Sequence, residues 1–153
     1  MPIFDPETFI NQVSTAAGST EYALPPEGEF QMMTGDGPVS KWFRTGTSEK
    51  GPWIRFEPLL LVLDDKVRAE MKRETVVVRY DGGFITLDDK TGDISTAKGD
   101  NVRYHQLRAA LDQNVAGIPA SALANAGPFL GRIRHETGSD GVTRASVNRV
   151  TKL

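Results

Sequence analysis

The chain has 153 residues and a formal net charge of −2, about the length of one domain, so a single compact unit is expected and a second full domain would not fit. It contains no cysteine, which excludes a disulfide framework, a cysteine zinc site and a thiol nucleophile, and fits a reducing compartment. Hydrophobic residues at 39%, charged residues at 25% and the lack of any apolar run near the ~20 residues of a membrane helix describe a soluble globular protein with no membrane partner.

The first residues, Met1 to Asn11, carry Asp5 and Glu7, no base and no apolar stretch of signal-peptide length, so a cytoplasmic location is expected. Asp5 is a candidate N-cap with Pro6 at the first helical position, which predicts a short helix to about Val13. Residues 14–22 are rich in Ser, Thr, Ala and Gly without period, and Pro25-Pro26 forces an extended entry into the first strand. Residues 1–23 therefore read as an N-terminal helix and linker, and residues 24–153 as the folded domain.

Gly28 to Thr34 alternates and ends at Gly35-Asp36-Gly37-Pro38, which predicts a first strand. Residues 40–52 carry turn residues and charge around Trp42-Phe43 and read as a long connection. Trp53 to Leu63, ending in the apolar run Leu59-Leu60-Leu61-Val62-Leu63, predicts a long second strand, broken at Asp64-Asp65. Glu74 to Tyr80 is a third strand, and Asp81-Gly82-Gly83 leading into Phe84-Ile85-Thr86-Leu87 has the pattern of a hairpin. A helix is predicted from about Asn101 to Asn114, with Asp100 as cap candidate and Leu107, Ala110 and Leu111 on one stripe. The chain closes with a hairpin, Phe129 to His135 and Val142 to Val150 around Gly138-Ser139-Asp140-Gly141, in which Arg132 and Arg134 share the face opposite Phe129, Gly131 and Ile133.

This order makes the fold class mainly β: a purely antiparallel five-stranded OB-fold barrel with one helix between the third and fourth strands, preceded by the short N-terminal helix. The strand two–three face and flanking loops of such barrels bind oligonucleotides.

Charge is segregated along the chain. Residues 1–40 hold six acids and no base, residues 41–73 eight bases and five acids, and residues 128–153 five bases and two acids. His105 and His135 stand thirty positions apart with no H-E-x-x-H and read as structural or surface residues. No phosphate-binding glycine loop is present, and the Asp pairs at 64–65 and 88–89 fit turns rather than an EF-hand. No catalytic residue, metal ligand or cofactor is assigned, and the protein is not expected to be an enzyme; a nuclease using the Asp clusters with Mg²⁺ is the rival that a digestion assay would dismiss.

Aromatic side chains interleaved with bases remain: Lys41-Trp42-Phe43-Arg44, Trp53-Ile54-Arg55-Phe56, Arg79-Tyr80 with Phe84, and Arg103-Tyr104. Bases stack on rings while Arg and Lys track phosphates, and neither contact needs a fixed sequence. The candidate stacking residues are Trp42, Trp53, Tyr80, Phe84 and Tyr104, with Lys41, Arg44, Arg55, Arg79 and Arg103 as phosphate partners and Arg132, Arg134 and Arg144 extending the path. Trp42, in a polar connection between Lys41 and Arg44, is expected at the surface. Phe30, Phe56, Phe129 and either Trp53 or Tyr80 are equally able to fill the barrel.

The segments Phe4-Asp5-Pro6-Glu7-Thr8-Phe9, Leu24-Pro25-Pro26-Glu27-Gly28-Glu29-Phe30, Lys98-Gly99-Asp100-Asn101, Gln106 to Asn114 and the basic final hairpin resemble phage and prophage single-stranded-DNA-binding proteins with an OB-fold. The resemblance spans most of the chain and is weakest between Gly35 and Lys72. It implies sequence-tolerant binding and protection of single-stranded DNA in phage replication or recombination, in the cytoplasm of a bacterial host, with phage replication or recombination proteins as further partners. Barrel edges in such folds often pair, which allows a homodimer. The sequence ends Val150-Thr151-Lys152-Leu153 without the long acidic tail of bacterial single-strand-binding proteins. The acidic first 40 residues support another reading, an OB-fold interaction adaptor of a phage replisome or virion that binds no nucleic acid.

Overall fold

The computed structural model describes residues 5–7, 11, 17 and 23–153. The predicted N-terminal helix falls mostly on residues outside these. Among the described residues seven strands form: β1 (Gly28–Thr34), β2 (Phe43–Ser48), β3 (Gly51–Phe56), β4 (Leu59–Val62), β5 (Val77–Tyr80), β6 (Phe129–Thr137) and β7 (Thr143–Lys152). Helix α1 (Asp65–Met71) separates β4 from β5, and α2 (Val102–Ala110) lies between β5 and β6 in the chain. Among the described residues no helix is long and apolar enough to cross a membrane.

Five strands close a barrel in the order β1-β4-β5-β7-β6, while β2 and β3 form a separate two-stranded sheet. Counting barrel strands alone, the order is one-two-three-five-four, an OB-fold barrel. Four of the five pairings are antiparallel; β5 and β7 run parallel, with Arg79 beside Ser146 and Tyr80 beside Val147. This corrects the purely antiparallel expectation, and the reason is parity. Strand direction cannot alternate around a closed ring with an odd number of members, so one adjacent pair must be parallel.

Alternation places one side of every barrel strand in the core. Met32, Leu60, Val62, Val78, Tyr80, Phe129, Ile133 and Val147 point inward and are buried, and Tyr104, Leu107 and Ala110 of α2 join them with Phe56 and Leu123. Helix α2 packs against β7. Tyr80 Oη donates to the Arg103 carbonyl at 2.8 Å, tying the barrel wall to the first turn of α2. Thr34, fully buried, donates to the Leu123 carbonyl and accepts from Ala126 N–H at 2.8 Å, which satisfies its hydroxyl without water.

Several boundaries differ from the sequence reading. The long strand Trp53–Leu63 is two strands broken at Glu57-Pro58: Pro58 offers no N–H to a ladder, and the chain turns there from the β2–β3 hairpin into the barrel. The connection over 40–52 holds a 3-10 turn, Val39–Trp42, and strand β2. Asp64-Asp65 does not only end a strand: Asp64 caps α1 by accepting from Val67 N–H at 3.0 Å. Helix α2 ends at Ala110 rather than Asn114, and Asn101, not Asp100, stands at its N-cap position, at φ 53° with its side chain turned back to Thr86 and Ser95.

Phe84–Leu87 does not return along β5. It crosses to β3, where Phe84 bridges Arg55, Phe56 N–H donates to Gly83 O at 2.9 Å and Ile85 N–H donates to Ile54 O at 2.8 Å. Gly82 permits the crossing, since a Cβ there would collide with the ring and carbonyl of Phe56. The inserted hairpin thereby gains a third row and is anchored at its base through Phe43 and Phe56, whose ring centroids lie 4.9 Å apart.

Candidate nucleic-acid interface

The candidate site lies where three segments converge: the β2–β3 hairpin inserted between barrel strands one and two, the ends of β4 and β5, and the β6–β7 hairpin. A cleft runs between them, with Arg55, Glu57, Arg79 and Asp81 on one side and Glu136, Thr137, Arg144 and Ser146 on the other.

On the hairpin, Gly46 pairs with Trp53 and Arg44 with Arg55, so these four residues share one face. A Cβ at Gly46 would collide with the Trp53 indole, so the ring lies flat across a glycine shelf. Phe84 comes in from the third row with its ring centroid 6.0 Å from that of Trp53, at 82°, and the Arg55 guanidinium sits 5.6 Å from the Phe84 centroid. Phe84 is 63% exposed. Two rings at right angles make a corner in which a planar base can stack on one ring and meet the edge of the other.

The cations beside this corner are held by carboxylates. Arg44 lies 3.2 Å from Glu57 Oε1; Arg55 Nε lies 3.0 Å from the same oxygen, an ion pair without hydrogen-bond alignment, and Arg55 also lies 3.5 Å from Asp81. Arg103 donates to both the Asp81 carboxylate, at 2.9 Å, and the Asp81 carbonyl, at 3.0 Å. Arg79 donates to the Glu57 carbonyl at 3.2 Å, and among the described residues no carboxylate lies within ion-pair distance of it. On the opposite wall Arg144 pairs with Asp140 at 2.8 Å. The Arg144 donor and the Val142 N–H hold the Asp140 carboxyl down at about 2.

Cross-strand register extends the basic path. Arg79 neighbours Ser146, and Ser146 neighbours Arg134, so the two arginines flank a small residue on three adjacent strands, roughly 10 Å apart at the usual strand spacing. Arg132 pairs with Arg149 beyond a register shift in the same ladder, and both are exposed. Of the expected residues, Arg55, Arg79 and Arg144 line the cleft; Arg44 and Arg103 adjoin it through Glu57 and Asp81, Phe84 through Arg55 and Trp53 through Phe84, and Arg132 and Arg134 are exposed on β6.

Three expected stacking residues present no exposed ring. Trp42 is 3% exposed, Tyr80 is fully buried and Tyr104 is 6% exposed. The 3-10 turn rotates the Trp42 ring inward, toward Gly35, while Lys41 and Arg44 remain outside, so burial of the indole drags no charge with it. Tyr80 is an inward residue of β5, and burial pushes its phenol above the ordinary value. Tyr104 packs edge-on to Phe56, with ring centroids 5.1 Å apart, and accepts from the buried Arg108 at 3.3 Å. Lys41 is exposed on its turn but does not line the cleft.

Sequence reasoning missed Glu57, Asp81, Gly46 and Ser146, which become neighbours of the expected residues only through strand register. His105 and His135 contact the carbonyls of Ser95, at 3.0 Å, and Pro25, at 2.6 Å. Among the described residues no group of three His, Cys, Asp or Glu side chains is placed to hold a metal. No family model and no curated protein matches the chain.

Proposed function

We propose that the protein binds single-stranded DNA with little sequence preference, stacking bases on Trp53 and Phe84 and neutralising phosphates with Arg44, Arg55, Arg79, Arg103 and Arg144. The observation that carries this is the corner made by half-buried Trp53 and exposed Phe84 beside a row of arginines, on the hairpin inserted between the first two strands of an OB-fold barrel and next to the cleft that its β6–β7 hairpin borders. A large ring left 63% exposed at a site built around a glycine shelf gains nothing for the core. The role added by the sequence resemblance is protection of the strand during phage replication or recombination in the host cytoplasm.

Photocross-linking to a halogenated-pyrimidine oligonucleotide, with peptide mapping of the adducts, tests the placement. Adducts on the peptides carrying Trp53 or Phe84 are expected. Adducts confined to other peptides would contradict it.

One observation favours the adaptor reading. Met33, Leu61 and Val77 are neighbours across β1, β4 and β5, and Val77 is 46% exposed, an apolar row suited to a protein partner or a second copy. That reading stands if oligonucleotides fail to bind.

A further inference from the structure

The cleft is not simply basic: on its hairpin side two little-exposed carboxylates lie beneath more exposed guanidiniums. The Leu59–Arg79 register, continued by two residues, sets Glu57 opposite Asp81, and the Tyr80 N–H to Pro58 O bond of 2.9 Å holds that end of the ladder together. The side chains of these acids are only 14% and 29% exposed, whereas those of Arg44, Arg55 and Arg103 are 60%, 42% and 44% exposed. Each acid bridges two guanidiniums, giving the series Arg44, Glu57, Arg55, Asp81, Arg103. Two adjacent carboxylates are tolerable there because three cations offset them.

Resting on the single-strand reading, we infer that Glu57 and Asp81 form an anionic floor that orients the strand, bases inward and phosphates along the arginine rim, and thereby excludes duplex DNA. A phosphate pushed to the floor meets two carboxylates, while at the rim it meets those of each arginine's five guanidinium N–H groups that the carboxylates leave unused. A base brings a neutral edge. The amino groups of cytosine, adenine and guanine donate to a carboxylate, as in the cytosine N4 contact of Glu and Asp, whereas thymine has no exocyclic amino group. A single strand can turn its bases to one side and its phosphates to the other; a duplex presents phosphates on its whole outer surface and cannot.

The floor therefore predicts two preferences in the unmodified full chain: single strand over duplex, and oligo-dC over oligo-dT of equal length. Glu57→Gln and Asp81→Asn keep shape and remove charge. A unit charge about 6 Å from a phosphate changes a binding constant roughly threefold at water-like screening, so the double variant should narrow the single-strand preference by roughly tenfold. It should also bring oligo-dC and oligo-dT closer together. Looser arginines would weaken all ligands alike, which is why the ratios are the readout. Asp89→Asn, an exposed carboxylate away from the cleft, should leave both ratios as they were.

Unchanged ratios in a folded double variant overturn the floor while leaving single-strand binding intact. Failure of the unmodified protein to bind either oligonucleotide overturns the function and the floor together, a different result from the first.

Discussion

Phe84→Ala separates binding from folding more cleanly than any other substitution in the cleft. The ring is 63% exposed and touches Trp53 and Arg55 at the edge of a hairpin outside the barrel. Truncation removes little buried apolar area, so the stability cost is about 1 kcal/mol or less, a fall in Tm of roughly 2–4 °C at this chain length. A lost base–aromatic stack costs roughly 1–3 kcal/mol of binding, a roughly 5- to 150-fold rise in Kd. The assay pairs anisotropy of a labelled oligonucleotide with a thermal melt of the same samples. Trp42→Ala is the opposite case: with the indole 3% exposed, it should cost ~3–5 kcal/mol of stability and lower Tm by roughly 6–20 °C. A Phe84→Ala protein that melts normally and binds as tightly as the parent would refute the assignment of the stacking corner.

Arg79→Ala and Arg134→Ala, on either side of Ser146, should each weaken binding to all sequences alike and reduce the slope of log affinity against log salt by roughly one; an unchanged slope removes that arginine from the phosphate path. Gly82→Ala should destabilise by ~1–3 kcal/mol or more through collision with Phe56, read as a lower denaturation midpoint, whereas an unaffected midpoint would mean the β5-to-β3 crossing is not close. Because burial raises the Tyr80 phenol, its contribution to stability is present below the ordinary value of 10.0 and declines as pH rises past it; Tyr80→Phe should flatten that alkaline decline at a cost of about 1 kcal/mol from the lost bond to Arg103, and a wild-type tyrosine titration complete near pH 10 in the folded state would contradict this. The Asp140 carboxyl, held at about 2 against an ordinary 3.8, contributes stability that is present above pH 4 and lost as pH falls toward 2; Asp140→Asn should remove that part of the acid dependence in melts between pH 5 and 2, and an unaltered dependence would argue against the pair with Arg144.

The barrel strands were readable because burial on one face writes period-two alternation into Gly28–Thr34, Val77–Tyr80 and Phe129–Thr137. Strand β2 was not, since Phe43-Arg44-Thr45-Gly46-Thr47-Ser48 has one large apolar residue and its pairing lies outside the barrel, where alternation is not enforced. The Gly-Gly after Asp81 gave a true turn signal but no direction: the same conformational freedom serves a hairpin or a crossing, and the contact with Phe56 that decides between them is long-range. At the site, Trp53 and Phe84 with their neighbouring arginines were visible as interleaved aromatics and bases. The sequence alone does not distinguish Trp42 and Tyr104 from them, because local charge says where a backbone segment lies and not which way a ring turns from it. The carboxylates that pair with the arginines were invisible for a related reason, since partners such as Arg55 and Asp81 lie 26 positions apart.

Direct titration of a labelled single-stranded oligonucleotide by anisotropy at about 50 and 200 mM salt, with duplex DNA as competitor, tests the central claim. The account predicts tight binding that weakens with salt and survives an excess of duplex. No binding at micromolar protein, or binding abolished by duplex in equal measure, would contradict it.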